Sequence, residues 1–413
     1  MNPFQIDCLT PFLKGKKIAL CITGSIAAFK SHDIIRFLKE CQAEVKVILS
    51  KNAKQFVTPL TLETLSGQKV FTDLFEDAHG THHIDCARWA DVFLIAPATA
   101  NCIAKLANGL ADDLISTELL AFQGPLFVAP AMNPDMYSHP ATQKNIETLS
   151  SRGVTFIGPT QGKTACAEIG LGRMSEPNEI LENIAVFNKS KRNKKILISF
   201  GPTQSNLDPV RYITNRSSGK MGVALCYAAQ SLGYTVIAVS GPTQLQSPSF
   251  IKNVKVKTTT EMHEAVTKLF PTCDIFISAA AVLDFEFTET QIQKVKKDKS
   301  ESLPFNLKPT TDILSEVSKI KKPHQTIIGF AAETDSHIEN AKSKLANKKL
   351  DAVFVNPIED SQFGFESQNN KGFFITPTQV ETLESNSKIN IALQIINKLE
   401  KVSFTQNENH FDH

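Results

Sequence analysis

The stretch KKIALCITGS, residues 16–25, decides the fold. A run of mostly apolar, strand-forming residues (16–22) breaks at Thr23-Gly24-Ser25, and an amphipathic, helix-like stretch follows over 26–40. An almost unbroken apolar run is what a strand of a parallel sheet needs, because both of its faces are covered. The same run recurs at EVKVILS (44–50), DVFLIAP (91–97) and PLFVAPA (125–131). Strands alternating with helical stretches predict an α/β domain with right-handed crossovers. Small polar residues stand just after the strands, where open α/β sheets bind their ligands.

Around FNKSKRNKK (187–195) the composition turns basic and polar, which reads as a linker. The rhythm then restarts: KKILISF (194–200) breaks at Gly201-Pro202-Thr203, a polar loop runs to Gly219, and a helix-like stretch reaches about residue 232. Further strand runs lie at 235–241, 274–282, 326–332, 351–356 and 372–376. A second α/β domain is expected, with the division at 189/190. The two openings look alike, but that shows a shared element type and no proven repeat. The Lys-rich segment 288–303 has no buried face; it is a solvated loop or a basic flap over an anion. The tail from about 403 is expected to fray.

A chain of 413 residues fits two domains, with ample material for a core. Apolar residues make up 42% and charged residues 21%, which excludes disordered, collagen-like and coiled-coil classes. Lys and Arg total 44 against 42 Asp and Glu, too balanced for a general nucleic-acid binder. No run reaches the ~20 apolar residues of a membrane span, and the N-terminus lacks a signal-peptide pattern. The expected address is the cytoplasm. The eight cysteines form no C-x-x-C pair, so most read as small buried hydrophobes.

Several places could carry chemistry. Gly24-Ser25, at a strand end and helix start, is a candidate anion site, though not a dinucleotide fingerprint. Ser50 and PATAN (97–101), with Thr99, end neighbouring strands, so three small polar loops converge. The His82-His83 pair reads as surface decoration or as a proton carrier. Asn133 in PAMNPDM is a cap or a recognition group. Cys166, in the Gly-rich loop 164–174, is inert or reactive. In the second half NRSSGKMG (215–222) opens a helix without a P-loop pattern. AAAVLDF (279–285) ends a strand in small residues followed by Asp284. Lys294, Lys296, Lys297, Lys344 and Lys348 are solvated charge or neutralise a phosphate chain.

Ten strings taken together resemble one family: GSIAAFK, HHIDCARWAD, APATANCIAKLANGLADDL, PAMNPDMY, ACAEIGLGRM, GPTQSNLDPVRYITNRSSGKMG, AAAVLDF, KVKK, GFAAET and FGFESQNN. In that order they resemble the bacterial bifunctional phosphopantothenoylcysteine decarboxylase / phosphopantothenate–cysteine ligases of coenzyme A biosynthesis. The resemblance implies two three-layer α/β/α Rossmann-like domains. The first, 1–189, would be a flavodoxin-like, flavin-dependent cysteine decarboxylase domain; the second, 190–413, the ligase.

The resemblance also implies roles. Gly24, Ser25, Ser50 and Thr99 match positions that hold FMN and its phosphate. His83 matches the active-site histidine, Asn133 the asparagine that recognises the substrate carboxylate, and Cys166 the cysteine of a substrate clamp and proton donor. Flavin oxidation of the substrate's thiol to a thioaldehyde would place the carboxylate β to an electron-poor carbon, so that CO₂ can leave. In the ligase half, CTP would activate the 4′-phosphopantothenate carboxylate as an acyl-cytidylate, which the amine of cysteine attacks. Asn215 matches the asparagine linked to that intermediate, and Lys294 a flap lysine. Ser278, Ala279, Ala280, Asp284, Thr311, Asp312, Ile313, Leu314, Phe330, Lys344 and Lys348 match nucleotide-binding positions, with Lys294 among them. Mg²⁺ is expected with the triphosphate, on ligands the sequence does not identify. A homo-oligomer is implied, with trimeric decarboxylase contacts and dimeric ligase contacts building a dodecamer.

Two departures stand out. Leu283 replaces a small residue of the common A-A-V-A-D-[FY] run, which tightens the pocket or changes nothing. KPTTD (308–312) replaces K-x-P-D, so the phosphate contact at Thr311 is loosely aligned. A non-catalytic flavin-binding regulator would have lost His83, Asn133 or Cys166, and all three are present. A peptidyl-cysteine decarboxylase would leave the second half without a task.

Overall fold

The structure is a computed structural model. It describes every residue except 76–81, 164–166, 189, 297–305, 334–335, 358–366, 368 and 409–413; at 82–83, 333, 357 and 400–408 it describes the backbone alone. The chain divides into two compact units, Met1–Ala185 and Val186–His413.

In the first unit the apolar runs become β1 (Lys17–Ile22), β2 (Glu44–Leu49), β3 (Val70–Phe71), β4 (Val92–Ala98), β5 (Leu126–Pro130) and β6 (Thr155–Phe156). They pair in parallel in the order β3-β2-β1-β4-β5-β6. One sheet face buries Ala19, Cys21, Phe93, Ile95 and Val128 in a core shared with α4 (His82–Trp89), α5 (Ala100–Asn108), α6 (Leu114–Ala121) and α8 (Pro140–Ser151). Ile18, Leu20 and Ile22 alternate with these and are equally buried. Helices α1 (Pro3–Leu13), α2 (Ser31–Glu40) and α9 (Pro177–Ala185) pack on one another, and α3 (Pro59–Ser66) joins α2. Two-sided burial is why the strand runs are continuous. The stretch expected to be helical over 26–40 starts as a 3₁₀ turn, Ile26–Lys30, before α2. A short hairpin, β7 (Thr160–Lys163) and β8 (Ile169–Arg173), lies beside α7 (Pro134–Ser138).

The second unit repeats this winding. Its strands are β9 (Lys195–Phe200), β10 (Gln204–Asn206), β11 (Tyr212–Thr214), β12 (Thr235–Ser240), β13 (Lys252–Lys255), β14 (Ile275–Ser278), β15 (Phe285–Phe287), β16 (Leu307–Pro309), β17 (Thr326–Glu333), β18 (Ala352–Pro357), β19 (Asn369–Ile375) and β20 (Val380–Ser387). The main sheet has the order β13-β12-β9-β14-β17-β18-β19-β20, parallel through β18 and antiparallel beyond. The helices are α10 (Lys220–Ser231), α11 (Thr259–Leu269), α12 (Ile313–Lys319), α13 (His337–Asn347) and α14 (Lys388–Glu408). Met262, Val266, Val317 and Ala341 bury α11, α12 and α13 against one face, while α10 packs on α14.

Two expectations need correction. The basic stretch 187–195 is no free linker: Arg192 donates from Nε to Leu232 O at 2.7 Å, and its guanidinium lies 4.8 Å from the Tyr234 ring centroid. The tail, expected to fray from about 403, instead continues α14 to Glu408.

Candidate functional site

In both sheets the strand order reverses once, between β1 and β4 and between β9 and β14. Crevices open at such switch points. In the first unit the loops there are knitted together. Thr23 Oγ1 donates to Pro97 O at 2.7 Å and accepts the Thr99 N–H at 3.0 Å. The Ser50 N–H donates to Ile22 O at 3.0 Å. A Cβ on Gly24 would lie 2.5 Å from the Asn52 Cβ, so glycine lets the turn after β1 meet the turn after β2. Ser25 Oγ accepts the Ala27 N–H at 3.4 Å, and Thr99 Oγ1 accepts the Cys102 N–H at 3.4 Å. Gly24, Ser25, Ser50 and Thr99 are thereby gathered at three adjacent strand ends.

Next to them is a cavity of about 310 Å³ whose lining includes Ser25, Lys30, Asn133, Gly172 and Met174. Asn133 caps α7, its Oδ1 accepting the Asp135 N–H at 2.8 Å, while its Nδ2 donates to the Glu168 carboxylate. Buried Lys30 donates to Met174 O at 3.1 Å and to Glu176 Oε1 at 2.9 Å. A Cβ on Gly172 would come within 2.2 Å of Met132 O, so the β7–β8 hairpin presses on the strand-end loop. Gly24, Ser50 and Thr99 do not themselves line this cavity. Cys166 lies outside the described residues, in the connection between β7 and β8, and so does the side chain of His83, whose backbone opens α4. The other seven cysteines form no disulfide and are buried. Burial pushes the Cys102 thiol up to about 12 and the Cys41 thiol to about 11, which leaves both unreactive.

In the second unit a cavity of about 640 Å³ is lined by Asn215, Ser278–Ala280, Asp284, Thr311–Leu314, Phe330, Lys344 and Lys348. Residues from five separate stretches of chain meet there. Asn215 Nδ2 donates to Ala281 O at 3.1 Å and Val282 O at 3.0 Å, fastening the loop before α10 to the end of β14. Leu283 also lines the cavity, 8% exposed, with its N–H donated to Thr203 Oγ1 at 2.9 Å; it is both wall and core. Lys344 Nζ donates to Phe330 O at 2.8 Å, and Lys348 Nζ stands 2.8 Å from Asp312 Oδ2.

Lys294 does not line this cavity. Its neighbour Val295 is pinned instead: the Asp208 carboxylate accepts the N–H groups of Val210, Arg211 and Val295, and Arg211 Nη2 donates to Val295 O at 2.7 Å. The Arg211 guanidinium and these backbone donors hold the Asp208 carboxyl well below the usual carboxylate range. Residue reasoning missed Lys220, Asn356, Asn370 and Lys388 as cavity walls. Lys220 and Asn370 stood inside quoted strings, but Lys388 carried no signal beyond opening a helical stretch.

Another groove, about 860 Å³, runs along β13 and α11 and contains none of the expected residues. Among the described residues no cluster of three or more His, Cys, Asp or Glu is placed to hold a metal ion. No helix of the described residues is long and apolar enough to cross a membrane.

Comparison with known proteins fits this division. The flavoprotein family matches residues 11–189, and the DNA/pantothenate metabolism flavoprotein C-terminal domain matches residues 191–402. The coenzyme A biosynthesis bifunctional protein CoaBC of Vibrio vulnificus is 43% identical over 393 residues, covering 94% of this chain and 98% of that protein. Its counterpart from Bacillus subtilis is 39% identical over 400 residues, covering 95% and 98%. A solved C-terminal domain of such a protein is 34% identical over 51% of this chain and 97% of its own, with a TM-score of 0.44. With both domain families present in order and relatives aligned over nearly their full length, the chain belongs to the bifunctional coenzyme A biosynthesis family, in which a flavoprotein decarboxylase is joined to a ligase.

Proposed function

We propose that the chain converts 4′-phosphopantothenate to 4′-phosphopantetheine in two steps. The second unit condenses 4′-phosphopantothenate with cysteine at the expense of CTP through an acyl-cytidylate. The first unit then decarboxylates the resulting 4′-phosphopantothenoylcysteine with bound FMN. The observation that carries the ligase reading is the 640 Å³ cavity, in which Asn215, Asp284, Asp312, Phe330, Lys344 and Lys348 share one space.

The residues of the first unit fit FMN. Glycine at 24 lets the turn after β1 pack against Asn52, and Gly24, Ser25, Ser50 and Thr99, at adjacent strand ends, would hold FMN and its phosphate. FMN, when bound, supplies reversible oxidation of the substrate beside its sulfur. Asn133, held by Asp135 N–H and Glu168, presents a preset amide to the substrate carboxylate. Cys166 and His83 would serve proton transfer.

In the second unit Phe330 and the small residues 278–280 give a planar base room against backbone. Lys344 and Lys348 set positive charge where negative charge builds during acyl transfer. Lys294, on the segment anchored by Asp208, reaches the phosphates as a flap. Mg²⁺ would come with the triphosphate, whose oxygens would supply most of its ligands, beside the cavity carboxylates Asp284 and Asp312. A homo-oligomer, trimeric through the first unit and dimeric through the second, would cover the exposed Phe29 and Leu60 side chains, 57% and 73% accessible. Such an assembly would work in the cytoplasm on small-molecule substrates.

The test is incubation with 4′-phosphopantothenate, cysteine and either CTP or ATP, with mass analysis of products. Loss of CO₂ from the amide product and a yellow FMN spectrum are expected, with CTP preferred. Absence of the cysteinyl amide with both nucleotides would overturn the ligase reading. A colourless folded preparation would overturn the flavin reading.

A further inference from the structure

Asn133 stands where two chain segments cross. It belongs to the loop after β5, and the β7–β8 hairpin presses on its neighbours on both sides. The Met132 N–H donates to Gly172 O at 3.0 Å, and a Cβ on Gly170 would lie 2.8 Å from the Pro134 Cβ. The Asn133 Oδ1 is committed to its own helix, where it accepts the Asp135 N–H. That leaves Nδ2 to meet a ligand, and Nδ2 donates to the Glu168 carboxylate. The contact that presets the amide therefore also fills it.

What fills it is the chemical group that the substrate would bring. Glu168 stands directly before β8, and the base of that strand is pinned: Lys30 Nζ donates to Met174 O at 3.1 Å, and Arg173 pairs with Glu176 at 2.9 Å. The hairpin base thus keeps Glu168 within reach of Asn133. The backbone beside Glu168 is less at ease. Ala167 sits at φ +63°, a left-handed conformation that a residue with a Cβ adopts at a cost. Hydrogen bonds to a charged acceptor are stronger than neutral ones, and this one fastens a turn that the backbone resists. Glu168 is exposed and Asn133 half-buried, so a ligand reaches both. The second hydrogen on Nδ2 offers no way around the competition, because a carboxylate placed on it would stand beside Glu168 with like charge.

We propose that Glu168 is a specificity-determining residue of the first unit: an internal carboxylate that occupies the Asn133 amide and that the substrate carboxylate must displace. The inference rests on the decarboxylase reading above and deepens it. Displacement draws on binding energy from the rest of the ligand, so a small carboxylate without the phosphopantothenoyl arm does not take the amide. Substrate and product also differ at this point. 4′-Phosphopantothenoylcysteine carries the carboxylate and 4′-phosphopantetheine does not, so Glu168 regains the amide once CO₂ has left. A ligand's apparent affinity is lowered by the fraction of chains in which its site is free, and here that applies only to ligands that need the amide.

Titration calorimetry on the flavin-loaded full chain tests this with two ligands that lack the oxidisable thiol. 4′-Phosphopantothenoylserine keeps the carboxylate; 4′-phosphopantothenoylethanolamine does not. Glu168→Ala is expected to bind the serine compound about threefold or more tightly than wild type, and the ethanolamine compound within about twofold. Glu168→Gln, which keeps an acceptor and loses the charge, should fall between. In an Asn133→Ala background, Glu168→Ala is expected to leave both affinities within about twofold, because there is no amide to contest. A serine-compound affinity that is unchanged or weaker in Glu168→Ala would overturn the proposal. So would a gain of the same size in the Asn133→Ala background, which would assign the effect to net charge rather than to the amide. A flavin-loaded wild-type chain that binds neither compound would overturn the decarboxylase reading and this inference with it.

Discussion

Gly24 and Asn52 approach so closely that a Cβ on the glycine would sit 2.5 Å from the Asn52 Cβ. The turn after β1 and the turn after β2 therefore share one volume, and any side chain at 24 must push them apart. Overpacking of this kind costs about 1–3 kcal/mol. Gly24→Ala is expected to lose bound flavin, read from the visible spectrum of the purified protein, and to lower the melting temperature. Full flavin content in that variant would reject the assignment of this turn to the cofactor.

Asp208 holds the segment that carries Lys294. Its carboxylate accepts the Val295 N–H at 3.1 Å, and Arg211 grips the Val295 carbonyl. Asp208→Asn weakens the Arg211 partnership and lets that segment drift. Misplacement of a reacting group by ~1 Å costs on the order of 10²-fold. Amide formation should fall toward that extent, as it should in Lys294→Gln, while decarboxylation of supplied 4′-phosphopantothenoylcysteine stays at the wild-type rate. An unchanged ligase rate in Lys294→Gln would reject the flap.

Asn215 uses its amide to donate to two carbonyls, Ala281 O and Val282 O. Asn215→Asp turns that donor into an acceptor facing two acceptors. Ala281 O keeps the Thr203 N–H at 3.3 Å, but Val282 O loses its donor, and an acceptor left unpaired costs about 1–3 kcal/mol. The aspartate variant is therefore expected to lose more ligase activity than Asn215→Ser, whose shorter side chain withdraws. Equal activities in a side-by-side assay of amide product would show that the two carbonyl bonds do not matter.

Asp312 and Lys348 make a pH-dependent link. Burial opposes the Asp312 charge, but the Lys348 ammonium and the Ser315 donors outweigh it and hold the carboxyl below its ordinary value. A depressed carboxyl contributes stability above its unfolded pKa, about 3.9, and loses it as pH falls through the lower folded value. Lys348→Met leaves only the Ser315 donors against burial, so the Asp312 carboxyl rises and the acid-unfolding midpoint of the second unit moves to higher pH. Superimposable acid titrations of wild type and variant, followed by circular dichroism, would contradict this.

Cys166→Ala separates the two units. Decarboxylation is expected to slow while amide formation persists. Parallel loss of both activities would argue against independent sites.

Much of the fold was legible because two-sided burial leaves a signature in single stretches of chain. KIALCI, VFLIAPA and KILISF read as interior strands without any knowledge of their neighbours, and each became one. Helix α1 was not read, since its start depends on Asn2 and Gln5 capping each other and its burial on α2 and α9. The 3₁₀ turn at Ile26–Lys30 was read as plain helix because local pattern does not distinguish the two.

By itself the order of residues determined the strands, the polar breaks after them, the two-domain rhythm and the strings shared with one family. Only the tertiary structure decided that Asn215, Asp284, Asp312, Phe330, Lys344 and Lys348 face one cavity, that Lys294 stands outside it, and that Lys388 is buried within it. Strand character depends on near neighbours along the chain. The cavity depends on sheet order, where crossovers set β14 between β9 and β17 and bring together segments separated by more than a hundred residues. No local pattern encodes the solvent that Lys388 gives up when α14 closes against α10.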